Sequence, residues 1–361
     1  MTSKQTPVSP DLQFDREWYL ATYPDVALSG IDPEQHYLKI GSLIGRKPGV
    51  AAKNGPAKAW EPRAPSFEYL GEHDASHKGP ALVISEDGAP DLRFQGTLAI
   101  HAHLFHLDML PECSWWLSSI PSPFDLFVSI ADAADAASVE QALSSLPSLN
   151  RLYVEHHPNR GRDIGPMVAG FGRRLAGYDF VGHFHSKKSS HTPDKKDWGT
   201  QLGHHLFHSV PHMTRVLNLF ADLPELGLIF PVYHPSIKGQ IKWGANFNRI
   251  ATELPRLLGT AGEGVSEADL LPFPAGSFFL ARTEAIRCLL DGGFTLEDFE
   301  PEAGQIDGTL AHAIERMFGL VATRQGYTFR QVRAEKPHSL GRSYIKGDPY
   351  RSRFLDAVEA G

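Results

Sequence analysis

Cysteine is nearly missing from this chain. Its 361 residues include only Cys113 and Cys288, far apart, which excludes a disulfide framework and a metal site built from thiolates alone. Free thiols in the cytosol are the expectation. Long apolar runs are missing too: no window reaches the length of a membrane span. The amino-terminal MTSKQTPVSPD has one lysine and no apolar stretch after it, so no signal peptide is expected. Peripheral contact with a membrane surface stays open. An excess of positive charge is also missing. A net charge of -7 and a pI near 6.2 give no bulk attraction for nucleic acid, so any anion site has to be a local cluster of cations. Internal repeats, low-complexity tracts and long charge blocks are likewise absent.

What is present is an ordinary globular composition, 42% hydrophobic and 21% charged, enough to bury a large core. The pattern divides the chain. Residues 1–11 read as a tail, and residues 12–50 as a small helical module. In the module Trp18, Tyr19 and Tyr23 precede Pro24, and Pro33 opens a segment with His36, Tyr37 and Ile40. Its aromatics suit a docking surface for another protein or, by self-packing, for the larger domain. Residues 51–95, opening with AAKNGPAKAWEPRAPS, read as linker and lead-in. Over residues 96–335, apolar runs (TLAIHAHLF, FDLFVSI, LYVEHH, YDFVGHFH, LGLIFPVY, SFFLARTEAI) alternate with helical ones (SVEQALSSL, MVAGFGRRLAG). Strands alternating with helices predict an α/β, doubly wound, mostly parallel sheet. Residues 336–361 read as a carboxy-terminal tail.

In such a sheet ligands gather beyond the carboxyl ends of the strands. HPNRGRDIGPM at 157–167 and HSKKS at 185–189 each follow a strand-like run directly, so both belong to that edge. Gly161 and Gly165 bracket Arg162 and Asp163, and a helix is expected from about Pro166, where exposed N–H groups attract an anion. Asn159, Arg160 and Arg162 beside this turn, with His185, Ser186, Lys187 and Lys188 at the end of the next strand, point to a pyrophosphate. A bland alternative stands beside this one: the cations form a solvated rim and Asp163 is an ordinary helix-cap partner. The turn matches neither the Walker nor the dinucleotide fingerprint.

NRGRDIGPM, YDFVGHFHSKKS, FPAGSFFLARTEA and DGTLAHAIER together resemble the rhamnan synthesis protein F family, glycosyltransferase-like proteins of bacterial surface polysaccharide assembly. The resemblance covers roughly residues 96–335 and is most specific in NRGRDIGP. WYLATYPDV with HYLKIGSLIGRKP is similar to a short module attached to polysaccharide-related glycosyltransferases. The resemblance implies a GT-A-like domain that uses a nucleotide sugar, with a rhamnose donor as first choice. The implied acceptor is a saccharide or lipid-linked glycan, and the implied setting is the cytoplasm, with the inner face of the cell membrane as an open option.

GT-A-like transferases usually hold a divalent metal on the donor with an Asp-x-Asp pair. No Asp-x-Asp occurs here, and the corresponding place reads His185-Ser186-Lys187-Lys188. No cofactor is therefore expected, the ammonium groups neutralising the departing diphosphate instead. The acceptor hydroxyl needs a carboxylate to take its proton. An acidic turn opening a late helix is the usual place for it, which selects Asp307 first and Glu302 in reserve. An Asp before a helix is equally a favoured cap, worth about 1 kcal/mol. An inverting outcome is preferred, since nothing marks a retaining nucleophile. His101, where such a domain meets the nucleotide, joins the donor-binding candidates, and the turn carrying Gly276 is expected to line the sugar pocket. His204, His208 and His212 at helical spacing raise a zinc site as a minor reading, and satisfied polar histidines as the major one. Trp198 and Trp243 suit stacking on sugar rings or packing against a bend. The competing class for the whole chain is a non-catalytic glycan- or partner-binding scaffold with the same fold.

Overall fold

The apolar runs become strands because both of their faces find cover. The structure, a computed structural model, describes residues 14–23, 26, 32–37, 49, 81–85, 87–88, 90–186, 198–269 and 271–335. The expected cations Lys187 and Lys188, most of the linker and the carboxy-terminal tail lie outside the described residues.

Among the described residues eight strands form one sheet. In chain order they are β1 (Ala81–Ile84), β2 (Leu98–Leu104), β3 (Phe124–Ile130), β4 (Leu149–His156), β5 (Phe180–His185), β6 (Leu226–Pro231), β7 (Phe279–Arg282) and β8 (Thr328–Ala334). Their order across the sheet is β1-β8-β6-β7-β5-β2-β3-β4. The pairings β1/β8, β6/β8, β5/β2, β2/β3 and β3/β4 are parallel. β7 runs antiparallel to both β5 and β6. The sheet is thus mostly parallel, as expected, but mixed. β1 falls within the stretch read as linker and lead-in, and it joins the sheet's edge through β8.

From β2 the chain winds outward through β3 to β4, then returns across β2 to place β5 on its other side. That reversal makes the β2/β5 boundary the topological switch point, and in open α/β sheets ligands bind beyond the carboxyl ends of the strands at such a point. Helices cover both faces. On one side Leu110–Ser118, Trp198–Leu206 and Val210–Asp222 pack around Trp116, whose ring meets Phe184 at 5.6 Å and Phe278 at 5.5 Å between centroids. The other side is closed by Phe247–Leu258, Thr283–Leu290 and Leu310–Arg324 over Phe127, Phe230 and Phe279.

In the amino-terminal module Arg16–Thr22 is helical, capped by the Asp15 side chain on Trp18 N–H at 2.9 Å. Tyr19 is fully buried, with Phe14 at 5.0 Å, Tyr23 at 4.8 Å and Tyr37 at 5.8 Å from its ring. These rings bury one another, which a short segment needs if it has little other core.

Candidate functional site

Alternation along three strands builds the site. In β2 residues 98, 100, 102 and 104 are apolar and join the Trp116 side, so Ala99, His101 and His103 face the opposite side. The same parity sends Phe127 and Ser129 of β3, and Val181, His183 and His185 of β5, to that side. Register then aligns them: His101 sits between Phe127 and His183, and His103 between Ser129 and His185. One face of the sheet therefore turns from apolar to polar over its last two rows, at the carboxyl edge of the switch point.

The polar row is continuous. His101 Nδ1 lies 2.9 Å from His183 Nδ1, His101 Nε2 lies 3.0 Å from Ser129 Oγ, and His103 Nδ1 lies 2.8 Å from the same oxygen. His183 Nε2 lies 3.0 Å from Asp163 Oδ2. His101, Ser129 and His183 are completely buried, while His103 and Asp163 keep a small exposure. Burial pushes His101 well down from its ordinary pKa, with His183 adding to the effect, and pushes His103 down to about 4 although Asp163 pulls the other way. For Asp163 burial alone would raise the pKa. His185 and His183 outweigh it and hold the carboxyl well below its usual range.

The turn after β4 aims Asp163 inward. Gly161 at φ +69° and Arg162 at φ +56° both lie in the left-handed region. A Cβ at Gly161 would strike the Phe299 ring, and one at Gly165 the Arg160 carbonyl, so the glycines are required by close approach. The expected helix start is instead a single wide turn, Pro166–Gly170, followed by Gly172–Leu175. Its first N–H groups are already used: Gly165 donates to the Gly161 carbonyl at 2.8 Å and Met167 to that of Asp163 at 3.3 Å. Pro166 has no N–H. This turn therefore does not present the row of donors that the sequence suggested, and Asp163 serves His183 rather than capping a helix.

Both arginines of the turn reach across to the acidic segment at 297–307. Arg160 Nη1 donates to the Phe299 carbonyl at 3.2 Å and the Glu297 carbonyl at 3.5 Å, and its backbone bridges Pro301. Arg162 Nη1 donates to His312 Nε2 at 3.0 Å, its Nη2 to the Gln305 carbonyl at 3.2 Å, and its Nε lies 3.5 Å from Glu302. These guanidinium groups fasten two loops together. Asn159 beside them is exposed.

Asp307 is bracketed. It accepts from Asn246 Nδ2 at 2.7 Å and Ala245 N–H at 3.1 Å, and pairs with Arg316 at 3.2 Å. Partial burial works against ionisation, but these donors and the guanidinium hold its pKa below the ordinary carboxylate value. The cap of the following helix is Thr309, whose hydroxyl pairs with His312 in place of the usual acid, so capping is not the work of Asp307.

At the end of β5, His185 Nε2 donates to the Gly276 carbonyl at 3.0 Å, and Gly276 N–H donates to Glu315 at 2.7 Å. Ser186 Oγ accepts from His106 N–H at 2.8 Å, which ties the exits of β2 and β5. The structure thus assembles His101, Asp163, His185, Ser186 and Gly276 around the switch point, with Arg160, Arg162, Glu302 and Asp307 in an adjoining set of loops. Sequence reasoning missed Ser129, His312 and Glu315. His103 and His183 were not among its candidate site residues, and the HAH of TLAIHAHLF and the HFH of YDFVGHFH were the signal that could have found them.

Trp243 is buried edge-on against Phe247 at 5.3 Å, which is packing rather than a platform for sugar. His204 Nδ1 lies 3.1 Å from His208 Nδ1, and His212 Nε2 donates to the His205 carbonyl at 3.0 Å. Among the described residues no three His, Cys, Asp or Glu side chains are grouped to hold a metal ion. Nor does the place of the expected acidic pair, His185-Ser186-Lys187-Lys188, offer the oxygen donors a divalent cation takes. A separate hollow at the opposite, amino-terminal edge of the sheet is lined by Arg93, Asp179, Phe180, Phe220 and Arg282. Its arginines are committed to Asp222 and to the Phe220 carbonyl.

A family model described as rhamnan synthesis protein F matches residues 83–327. Two similar relatives, each named uncharacterized protein WxcX, come from Xanthomonas campestris pv. campestris strains B100 and ATCC 33913. Each is 32% identical over 253 residues, which cover 70% of this chain and 35% of the relative. No helix among the described residues is long and apolar enough to cross a membrane.

Proposed function

This chain belongs to the rhamnan synthesis protein F family, and we propose that it is a nucleotide-sugar-dependent glycosyltransferase. Family membership implies a role in polysaccharide synthesis. The proposed reaction moves a sugar, rhamnose as first choice, from a nucleoside diphosphate to a saccharide or lipid-linked glycan, with inversion and without a metal. The chain spans 35% of the length of the relatives it matches, so the reading is for this region. Its proposed place is the cytoplasm, with the inner face of the membrane as an open option.

One observation carries the reading. At the β2/β5 switch point of a GT-A-like sheet, the strand that would end in an acidic pair ends in His185 and Ser186, followed by two lysines. A site for a dianionic leaving group needs positive charge, and several well-placed donors in a sheltered crevice supply several kcal/mol of transition-state stabilisation. Lys187 and Lys188 are the proposed donors to the diphosphate, with His185 and Ser186 just before them in the chain. Arg160 and Arg162, being engaged with the 297–307 segment, act by holding the acidic turn against the donor side. Asp307 is the proposed base, with Glu302 in reserve. The Asp307 bracket keeps the carboxylate ionised and oriented at neutral pH, as a base requires, although the lowered pKa weakens its pull on a proton.

The alternative class, a glycan-binding scaffold that keeps the fold, is favoured by the same bracket, since a carboxylate with three partners is also a structural strut. A thermal-shift screen of nucleotide sugars separates the two. A bound donor raises the melting temperature by mass action and identifies both base and sugar, whereas a scaffold responds to glycan alone.

A further inference from the structure

With its imidazoles neutral and Asp163 ionised, the hydrogen-bonded row from Asp163 to His103 has one self-consistent proton arrangement. An ionised carboxylate accepts only, so His183 must donate to Asp163 from Nε2. If His183 is neutral, its Nδ1 is bare and accepts from His101 Nδ1–H. His101 Nε2 is then bare and accepts from the Ser129 hydroxyl, whose oxygen accepts from His103 Nδ1–H. His103 Nε2, near the carboxyl end of β2, is left as a lone pair, and no hydrogen bond reaches it among the described residues. If His183 carries a second proton, His183 still donates to Asp163 while every bond from His183 to His103 reverses, and His103 presents Nε2–H.

We propose that this row is a proton wire that charges the crevice when a diphosphate binds. The inference rests on the nucleotide-sugar reading and deepens it. A proton from solvent joins His103 Nε2, and the His103 Nδ1 proton passes to Ser129. The Ser129 hydroxyl proton passes to His101 Nε2, and the His101 Nδ1 proton passes to His183. Only N–H and O–H bonds are exchanged. The added charge rests on His183 between His101 and Asp163, while the anion meets an N–H where a lone pair would repel it. The wire thus adds one positive charge beneath the site of the departing diphosphate and keeps it deep in the sheet, away from the acceptor. His103 is the binding residue, and Ser129, His101, His183 and Asp163 are positioning residues.

The surroundings suit a charge that comes and goes. Asp163 supplies the fixed counter-ion, with His185 also in its electrostatic range. His106 and His157 face His103 from the neighbouring loops, and His312 faces Asp163 from the Leu310–Arg324 helix, with Arg162 beyond it. The rings of Phe171 and Phe279 flank His101 and His183, and exclude water that would short-circuit the row.

The test is calorimetric titration of the whole chain with deoxythymidine diphosphate, from pH 6 to 9, in buffers of different ionisation enthalpy. Uptake should rise to a maximum approaching about one proton per ligand, with affinity falling up to about tenfold per pH unit across that range. Ser129→Ala, which cuts the wire but leaves the Asp163–His183 pair, and Asp163→Asn, which removes its counter-ion, should each abolish the uptake. The imidazole nitrogen spectrum of the wild type needs no variant to fold: at the alkaline end His103 should carry its proton on Nδ1, moving to doubly protonated His183 and Nε2–H on His103 with ligand. Binding without proton uptake at every pH, or a free-state His103 protonated on Nε2 at the alkaline end, overturns the wire and leaves the transferase reading standing. Absence of binding by any nucleoside diphosphate or nucleotide sugar overturns both.

Discussion

Arg162 donates to His312 Nε2 at 3.0 Å, a bond open only to a neutral imidazole, while Nδ1 of the same ring meets the Thr309 hydroxyl at 2.7 Å and the Thr309 N–H at 3.4 Å. Burial, with the guanidinium next in effect, pushes His312 down from 6.5 to about 4. The unfolded chain takes up a proton near 6.5 that the folded chain refuses until about 4, so His312 contributes stability above 6.5 that is lost as pH falls toward 4. The loss is at most about 3 kcal/mol. Urea unfolding at pH 7.5 and pH 5 should show a larger drop for wild type than for His312→Gln, whose amide oxygen can still accept from Arg162. Equal drops would refute the coupling.

Gly276 sits at φ +91°, and a Cβ there would lie 2.6 Å from Leu202 and 3.1 Å from Trp198. Gly276→Ala should therefore cost about 2–4 kcal/mol from backbone strain and overpacking together. It should also loosen the bond from His185. A lowered melting temperature with weakened donor binding is the expected pair of results. An unchanged melting temperature would show that the turn has another way to relax.

Much of this architecture was legible in the sequence, for identifiable reasons. Runs such as FDLFVSI are apolar on both faces, which only a sheet covered on two sides rewards, and the glycines of NRGRDIG marked a turn of unusual closeness. Two strands were not legible. ALVI in β1 is four residues inside a polar stretch, and TFRQVRA in β8 alternates with arginines that read as solvent-facing. The reversed direction of β7 was hidden because a strand's direction depends on its neighbours, which SFFLAR alone does not name. In the site, the arginines read as phosphate donors from charge alone. Their partners lie about 140 residues downstream, in carbonyls of the 297–305 segment, and no local pattern reports such pairings.

If Asp307 takes the acceptor's proton, Asp307→Asn should lower turnover by about 10²–10⁴-fold. The melting temperature should fall as well, because Asn246 and Ala245 donate to different oxygens of Asp307 and the single amide oxygen of Asn can keep only one of them. Glu302→Gln should change turnover far less. Steady-state rates for the two variants, beside their melting curves, check the assignment. The reverse ranking would move the base to Glu302.

The lysines following β5 carry the leaving-group charge in this account. Lys187→Ala and Lys188→Ala should each lower turnover, the better-placed one by about 10²-fold, as loss of a single preorganised donor does. Binding of the bare nucleoside should be little changed, since the nucleoside carries no diphosphate. Parallel measurement of nucleoside and nucleoside diphosphate affinities tests this. Equal losses for both ligands would contradict a diphosphate contact.

The central claim is tested most directly by incubating the purified chain with deoxythymidine-diphosphate rhamnose and a panel of other nucleotide sugars, with and without a chelator, and following release of nucleoside diphosphate. Turnover of at least one donor, undiminished by the chelator, is the predicted result. Activity that disappears with the chelator and returns with a divalent cation would contradict the metal-free site. No turnover of any donor by a chain that still binds glycan would contradict the transferase assignment itself.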